Sequence, residues 1–324
     1  MTLVRDLSEE ELLARIVPLL PRGTDTLVPP GDDAAVLAAP DARVVVTTDV
    51  LVEGRHFRRE WGTGRQVGAR AAVQNLADVA AMGARPTGLV VALAVPGDLP
   101  AAWVQDLARG LADVCGPLGV GVVGGDLSGA DEVVVAVTAH GDLEGRAPVL
   151  RSGARPGDVV AHAGVRGRSA AGLALLQAGR PELDPDLVDH HLAPVAPLAA
   201  GPAAARAGAT AMLDVSDGLL RDADRLARAS GVRVELDAAE DAFAEDLARL
   251  HAAAAALAGD AVAWVLTGGE DHGLLATFPP DARLPEPFRR VGTVAPAREA
   301  PHVLVAGRPH VGRPGWDHFR GEDG

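Results

Sequence analysis

Apolar positions along the chain switch repeatedly between a period near 3.6 and a period near 2, and that alternation predicts an α/β protein. Ser8 and Glu11 form a capping box ahead of Leu12, Leu13, Ile16 and Val17, which fall at helical spacing. A loop through Pro29-Pro30-Gly31-Asp32-Asp33 leads into the β-rich run Arg43-Val44-Val45-Val46-Thr47-Thr48-Asp49. Residues 64–82 read as a helix stopped by Gly83, residues 89–95 as a buried strand, and residues 100–118 as a second helix. Strands are expected near 120–124 and 132–140, the first running straight into Gly124-Gly125-Asp126. The stretch from Gly145 to Gly157 crowds turn formers and arginines between apolar runs, which marks a domain boundary and predicts units of 1–147 and 148–324. Beyond it, helices are expected near 168–179, 195–207, 218–230 and 240–258, and strands near 210–215, 232–236, 261–266, 272–278 and 302–306. Ala252 to Ala256 is helix filler, and no short solenoid repeat is visible.

Composition narrows the classes open to such a chain. With 324 residues and 48% hydrophobic content, there is enough apolar surface for two cores and too much for disorder. The first twenty residues lack a basic leader, a long apolar run and a cleavage signal, so a cytoplasmic protein with no membrane span is expected. Cys115, the single cysteine, sits within the helical pattern of Trp103, Leu107, Leu111 and Val114 and reads as a buried, inert thiol. The sequence contains no lysine, so all 30 basic side chains are arginine. A lysine-based Walker loop, a protein-kinase-type ATP lysine and Schiff-base catalysis are therefore excluded. A net charge of −14 also argues against a broad nucleic-acid surface. If so acidic a chain binds ATP, metal ions must mediate.

The positions of the aspartates suggest that they do. Asp49, Asp126 and Asp214 each follow an apolar strand, Asp32 and Asp33 lie in a glycine-led loop, and Asn75 and Asp78 share one helix face at i, i+3 spacing. Any one of these is an ordinary turn or cap. Taken together, converging carboxylates would repel by a few kcal/mol per close pair at an effective dielectric of about 20, a conflict that hard divalent cations resolve. Mg²⁺ takes one or two carboxylates per ion and completes its shell with water and phosphate oxygens, so several ions can share such positions.

The motifs, in this order, resemble the thiamine-monophosphate kinase family of the aminoimidazole ribonucleotide synthetase-like superfamily. The matching pieces are Gly31-Asp32-Asp33-Ala34, Thr47-Thr48-Asp49, Gly54-Arg55-His56-Phe57, the run Asn75 to Ala84 and Gly124-Gly125-Asp126. They continue with Arg151 to Asp158, Asp214-Val215-Ser216-Asp217-Gly218, Thr267-Gly268-Gly269-Glu270-Asp271 and Gly315-Trp316-Asp317-His318-Phe319, spanning essentially the whole chain. The resemblance implies a two-domain fold, an N-terminal mixed sheet with helices that also dimerises and a C-terminal α/β domain that completes the site. It implies direct transfer of the ATP γ-phosphoryl group to thiamine monophosphate, with several Mg²⁺ ions and no phosphoenzyme. No catalytic base is then expected, because the acceptor phosphate is already a nucleophile.

Carried over position by position, Asp33, Thr47, Thr48, Asp49, Asp78, Asp126, Asp214 and Asp217 match the family's metal positions, the threonines acting through hydroxyl or backbone oxygens. Gly125, Asp126, Arg151 and Ser216 match ATP contacts, Arg151 offering the forked donor that suits phosphate. His56, Glu270 and Trp316 match substrate contacts, the indole face suiting a thiazolium cation. Departures are Leu118 where a tyrosine often precedes the Gly-Gly-Asp motif, Leu127-Ser128 in place of a threonine pair, and His272-Gly273 in place of Tyr-Glu. The resemblance also implies a homodimer. Selenophosphate synthetase would need an N-terminal reactive cysteine or selenocysteine and a lysine, and the hydrogenase-maturation member of the superfamily a C-terminal cysteine, and this chain has neither. A catalytically silent ATP–Mg²⁺ sensor, a metal-dependent phosphatase, or a kinase of the same fold with another acceptor stand as alternatives. The other histidines, including His190-His191, read as structural.

Overall fold

A computed structural model describes residues 2–29, 34–297 and 302–316, which leaves Gly31, Asp32 and Asp33 and the tail residues Asp317, His318 and Phe319 outside the described residues. The chain divides into two compact units. One comprises the residues up to Val79 together with Ala84–Gly145, the other Ala80–Gly83 together with Arg146 onward.

In the first unit, α1 (Glu9–Ile16) opens as its polar pattern dictates. Ser8 Oγ accepts the Glu11 N–H while the Glu11 carboxylate accepts the Ser8 N–H. A short ribbon of β1 (Thr26–Val28) and β2 (Val36–Leu37) follows. The main sheet is built from β3 (Val45–Val52), β4 (Arg85–Val95), β5 (Gly121–Gly129) and β6 (Val134–Asp142), in the order β3-β6-β4-β5. β4 and β5 run parallel, which requires a crossover, and α3 (Ala101–Cys115) supplies it. α2 (Gly64–Ala81) links β3 to β4 and is buried on nearly every side. Gly68 and Gly110 explain how α2 and α3 pack: a Cβ on Gly68 would fall 2.0 Å from Leu107 O, and one on Gly110 would fall 1.9 Å from Arg65 O. The helices therefore meet backbone against backbone. Cys115 at the end of α3 is buried, and burial pushes its thiol up to about 12, as an inert core cysteine requires.

The inner face of this sheet carries Leu51, Leu89, Val91, Leu93, Val135, Val137 and Ala139, all buried. Its outer face does not: Val46 is 59% exposed and Val50 44%. β5 also runs further than expected, continuing through the glycine-aspartate motif to Gly129 because β4 offers it partners as far as Val95.

The second unit contains β7 (Val159–Ala163), α4 (Arg168–Gln177), α5 (Pro185–Leu192), α6 (Ala200–Arg206), β8 (Ala211–Val215) and α7 (Leu219–Ser230). It continues with β9 (Val232–Leu236), α8 (Ala239–Ala242), α9 (Ala244–Leu257), α10 (Ala261–Thr267), β10 (Gly273–Phe278), β11 (Arg289–Pro296) and β12 (Val303–Val305). Its six-stranded sheet has the order β12-β9-β11-β7-β10-β8, antiparallel except for the β12–β9 pair. Met212, Leu274, Ala276, Phe278 and Phe288 anchor the core, the two phenylalanine rings meeting edge to face at 5.4 Å.

Here the structure corrects the sequence reading. Residues 261–266, expected as a strand, form α10, because the Asp260 carboxylate accepts the N–H groups of Val262 at 2.9 Å and Ala263 at 3.1 Å and caps a helix. The helix expected at 240–258 is interrupted at Phe243, whose ring is buried. α5 was not anticipated, although Asp184 as N-cap and Pro185 in the first turn signal it. Among the described residues no helix is long and apolar enough to cross a membrane.

Candidate active site

Within the first unit, the strand period places Thr47 and Asp49 on the face that α2 covers. Thr47 Oγ1 donates to Asp78 Oδ2 at 2.8 Å, and the Asp49 N–H donates to Asn75 Oδ1 at 3.0 Å. Asn75 is wholly buried and also donates from Nδ2 to Ala71 O, so its orientation is fixed. The i, i+3 spacing of Asn75 and Asp78 thus docks α2 on the free edge of β3 and gathers Thr47, Asp49 and Asp78. Thr48 lies on the opposite face, where its hydroxyl donates to Val137 O at 2.9 Å.

Asp126 is separated from this cluster. β3 and β5 are the two edges of the sheet, so Asp49 and Asp126 stand about 14 Å apart across it at the usual strand spacing. Asp126 pairs with Ala92, in the row that continues through Ala136 to Val50 on the outer face. Gly125 earns its place sterically, since a Cβ there would come within 2.0 Å of Val91 O. Gly124, Gly125 and Asp126 line one end of an otherwise largely aliphatic cavity of about 530 Å³ between α1, α3 and the sheet. His56 is held by a reciprocal pair with Val52, its Nδ1 accepting the Val52 N–H at 2.9 Å while the Val52 carbonyl accepts the His56 N–H. In the neutral ring this puts the proton on Nε2.

In the second unit, segments a hundred residues apart converge through the main chain. Ser216 O accepts the Glu270 N–H at 2.8 Å, and Asp217 O accepts the Trp316 N–H at 2.8 Å. Glycines permit this: a Cβ on Gly269 would lie 2.5 Å from Ser216 O, and one on Gly315 would lie 2.2 Å from Asp217 O. Asp214, on the edge strand β8, is 5% exposed. Asp217 is paired with Arg225 at 2.7 Å, and its N–H donates to the buried carboxylate of Asp222. Burial pushes Asp222 above the usual carboxylate range despite Arg225, with the Asp217 charge adding to the rise. Arg151 is not drawn into this corner. Its carbonyl accepts the Ser230 hydroxyl at the far end of α7, about 18 Å of helix away from Ser216.

The donors fit a hard cation by chemistry: carboxylates and hydroxyls, all oxygen. Among the described residues no three His, Cys, Asp or Glu side chains are grouped so as to hold an ion alone. Sequence reasoning missed Asp222 as part of the corner, because nothing in a linear pattern reveals a buried charge that serves a neighbour.

Residues 31–143 match the AIR synthase related protein N-terminal domain, and residues 155–294 match the corresponding C-terminal domain. A thiamine-monophosphate kinase from Mycobacterium tuberculosis is 50% identical over 277 residues, 85% of this chain and 80% of that protein. The chain belongs to the thiamine-monophosphate kinase family. The Corynebacterium glutamicum thiamine-monophosphate kinase is 46% identical over 85% of this chain and 83% of its own length. The structure of AaThiL complexed with AMPPCP and TMP superposes with a TM-score of 0.77 at 31% identity, covering 98% of this chain and 99% of that one. Membership in the thiamine-monophosphate kinase family accounts for the two-unit α/β architecture.

Proposed function

We infer that this chain is an ATP-dependent kinase that phosphorylates thiamine monophosphate to thiamine diphosphate. The observation that carries this reading is its likeness, over 98% of its length, to AaThiL complexed with AMPPCP and TMP. Phosphoryl transfer of this kind needs in-line placement of two phosphates and neutralisation of their charge, and little covalent chemistry from the protein. The acceptor phosphate is nucleophilic as it arrives, so no side chain has to remove a proton.

We assign Asp33, Thr47, Thr48, Asp49, Asp78, Asp126, Asp214 and Asp217 to Mg²⁺, with Thr48 serving through its backbone oxygen because its hydroxyl is engaged with Val137. Mg²⁺ held there would neutralise the phosphate oxygens. Gly125, Asp126, Arg151 and Ser216 belong to the ATP side of the reaction. His56, with its Nε2–H, suits donation to the monophosphate, while Glu270 and Trp316 suit the pyrimidine and the cationic thiazolium ring. On this reading residues 1–147 bind metal and ATP and dimerise, residues 148–324 complete the nucleotide and substrate site, and the ATP requirement fits a cytoplasmic reaction. A coupled ADP-release assay with ATP and Mg²⁺ tests the reading. ADP and thiamine diphosphate should appear together only when thiamine monophosphate is present; ATP binding without either product would point to a silent sensor.

The homodimer belongs to the same proposal, supported by the outer face of the β3–β6–β4–β5 sheet. Val46, Val50, Val90, Ala92 and Ala136 form an apolar strip there beside Thr48 and Asp126, and aliphatic side chains as exposed as Val46 and Val50 on a sheet face call for a cover. A second copy is the occupant we propose. Val46→Glu with Val50→Glu should convert a particle of twice the chain mass to a monomer in light scattering; an unchanged mass would reject this face as the interface.

A further inference from the structure

The segment from Gly268 to His272 is bent in a way its residues resist. Glu270 and His272 both occupy the left-handed region, at φ +67° and +51°, a conformation that side-chain-bearing residues seldom adopt. Such backbone persists only where its surroundings over-determine it, and strain of this sort concentrates at sites that must present a group.

The over-determining partner is Asp271, between the two strained residues and 1% exposed. Its Oδ2 accepts the Gly167 N–H at 2.6 Å and its Oδ1 accepts the Ser169 N–H at 2.8 Å, so the carboxylate caps the start of α4. His190 Nε2, from α5, lies 3.1 Å from the same Oδ1. Arg166, fully buried, brings Nη1 to 3.6 Å from Oδ2 and donates from Nη2 to Gly268 O and from Nε to Val265 O at 3.2 Å. One guanidinium thus ties Gly268 to Asp271 across the bend. Burial alone would push the Asp271 carboxyl up, but His190, Arg166 and the α4 N–H groups bring it below the usual carboxylate range. On the other side, the Glu270 N–H is tied to Ser216 O, and His272 Nε2 lies 3.6 Å from Glu270 Oε2.

We propose that Asp271, Arg166 and His190 are positioning residues that fix the left-handed bend and thereby present the Glu270 carboxylate to the aminopyrimidine end of the substrate. The inference rests on the kinase reading only in what Glu270 meets; the positioning itself is a property of this chain. A network that served stability alone would lower thermal resistance and leave the two substrates equally affected. A positioning network weakens one substrate selectively and acts only through Glu270.

The test is Asp271→Asn, which keeps volume and part of the acceptor capacity while removing the charge. KM for thiamine monophosphate should rise at least about tenfold, the scale of losing a supporting hydrogen-bond shell, while KM for ATP stays within about twofold. In a Glu270→Ala background the same change should raise KM no further, because the residue it positions is gone. Amide exchange at Glu270, read on the substrate-free protein, should quicken about tenfold or more. Should Asp271→Asn not fold, His190→Ala, on a less buried side chain, should show the same selective rise in smaller measure, with His190→Gln restoring the wild-type value through its amide donor. Equal rises in both KM values, a rise that multiplies with Glu270→Ala, or unchanged exchange at Glu270 would overturn the proposal. If the wild-type protein forms no thiamine diphosphate, the kinase reading falls, and the exchange experiment still decides whether the network holds the bend.

Discussion

Asp49→Asn should lower kcat/KM for thiamine diphosphate formation by about a thousandfold, equivalent to about 4 kcal/mol of transition-state stabilisation. Asparagine keeps the size of the side chain, and the bond that orients this stretch of β3 is made by the Asp49 main-chain N–H to Asn75, so the strand has no reason to move. What is lost is one formal charge in a set of oxygen donors that includes Thr47 and Asp78. The loss should therefore appear in metal dependence as well as rate. In the wild type, Mg²⁺ with ATP should raise the melting temperature more than ATP alone, and in Asp49→Asn that extra shift should shrink. A variant that keeps more than a tenth of its activity, with the metal-dependent shift intact, would remove Asp49 from the metal set.

Phe278→Ala should be the most damaging single truncation in the second unit, at about 3–5 kcal/mol, because it deletes a fully buried ring and leaves a cavity. The ring packs edge to face on Phe288 in a core otherwise made largely of alanines, whose short side chains cannot close the gap. At the usual conversion for a domain of this size, the melting temperature should fall by about 10 °C in a thermal unfolding scan. A fall of less than about 3 °C would show that the core repacks around the loss. Since Phe278 lies at the far end of β10 from Gly273, substrate KM values at low temperature should change little.

Where local chemistry decides an element, the sequence was readable. The Ser8–Glu11 box and the α2 stop at Gly83 are capping events written in a few adjacent residues, and both are present. Residues 261–266 were misread because a short apolar run is equally consistent with a strand and a buried helix, and Asp260, one position upstream, is what decides between them. The aspartates were recognised as a set, and Thr47, Asp49 and Asp78 are indeed gathered by α2 and β3. Their geometry was not readable: Asp49 and Asp126 each looked like the end of a strand, yet both lie within strands, on opposite edges of one sheet. Strand order is a property of long-range pairing, and no local pattern encodes it. Asp271 illustrates the other limit, since the motif places it beside Glu270 without showing that its carboxylate is buried against the start of α4.

The tail that carries Trp316 is fastened at two points through its main chain. The Arg221 N–H donates to Pro314 O and the Trp316 N–H donates to Asp217 O, two residues later, with Gly315 pressed between them. Such an attachment measures length and is nearly blind to composition. Substitutions upstream, in 306–313, should leave the indole where it is, whereas a single residue inserted or deleted between Pro314 and Trp316 would throw the second fastening out of step by about 3.5 Å. Evolutionary drift in this stretch should accordingly be read in gaps: related chains can differ freely in letters just before Pro314, but not in the count from Pro314 to the tryptophan.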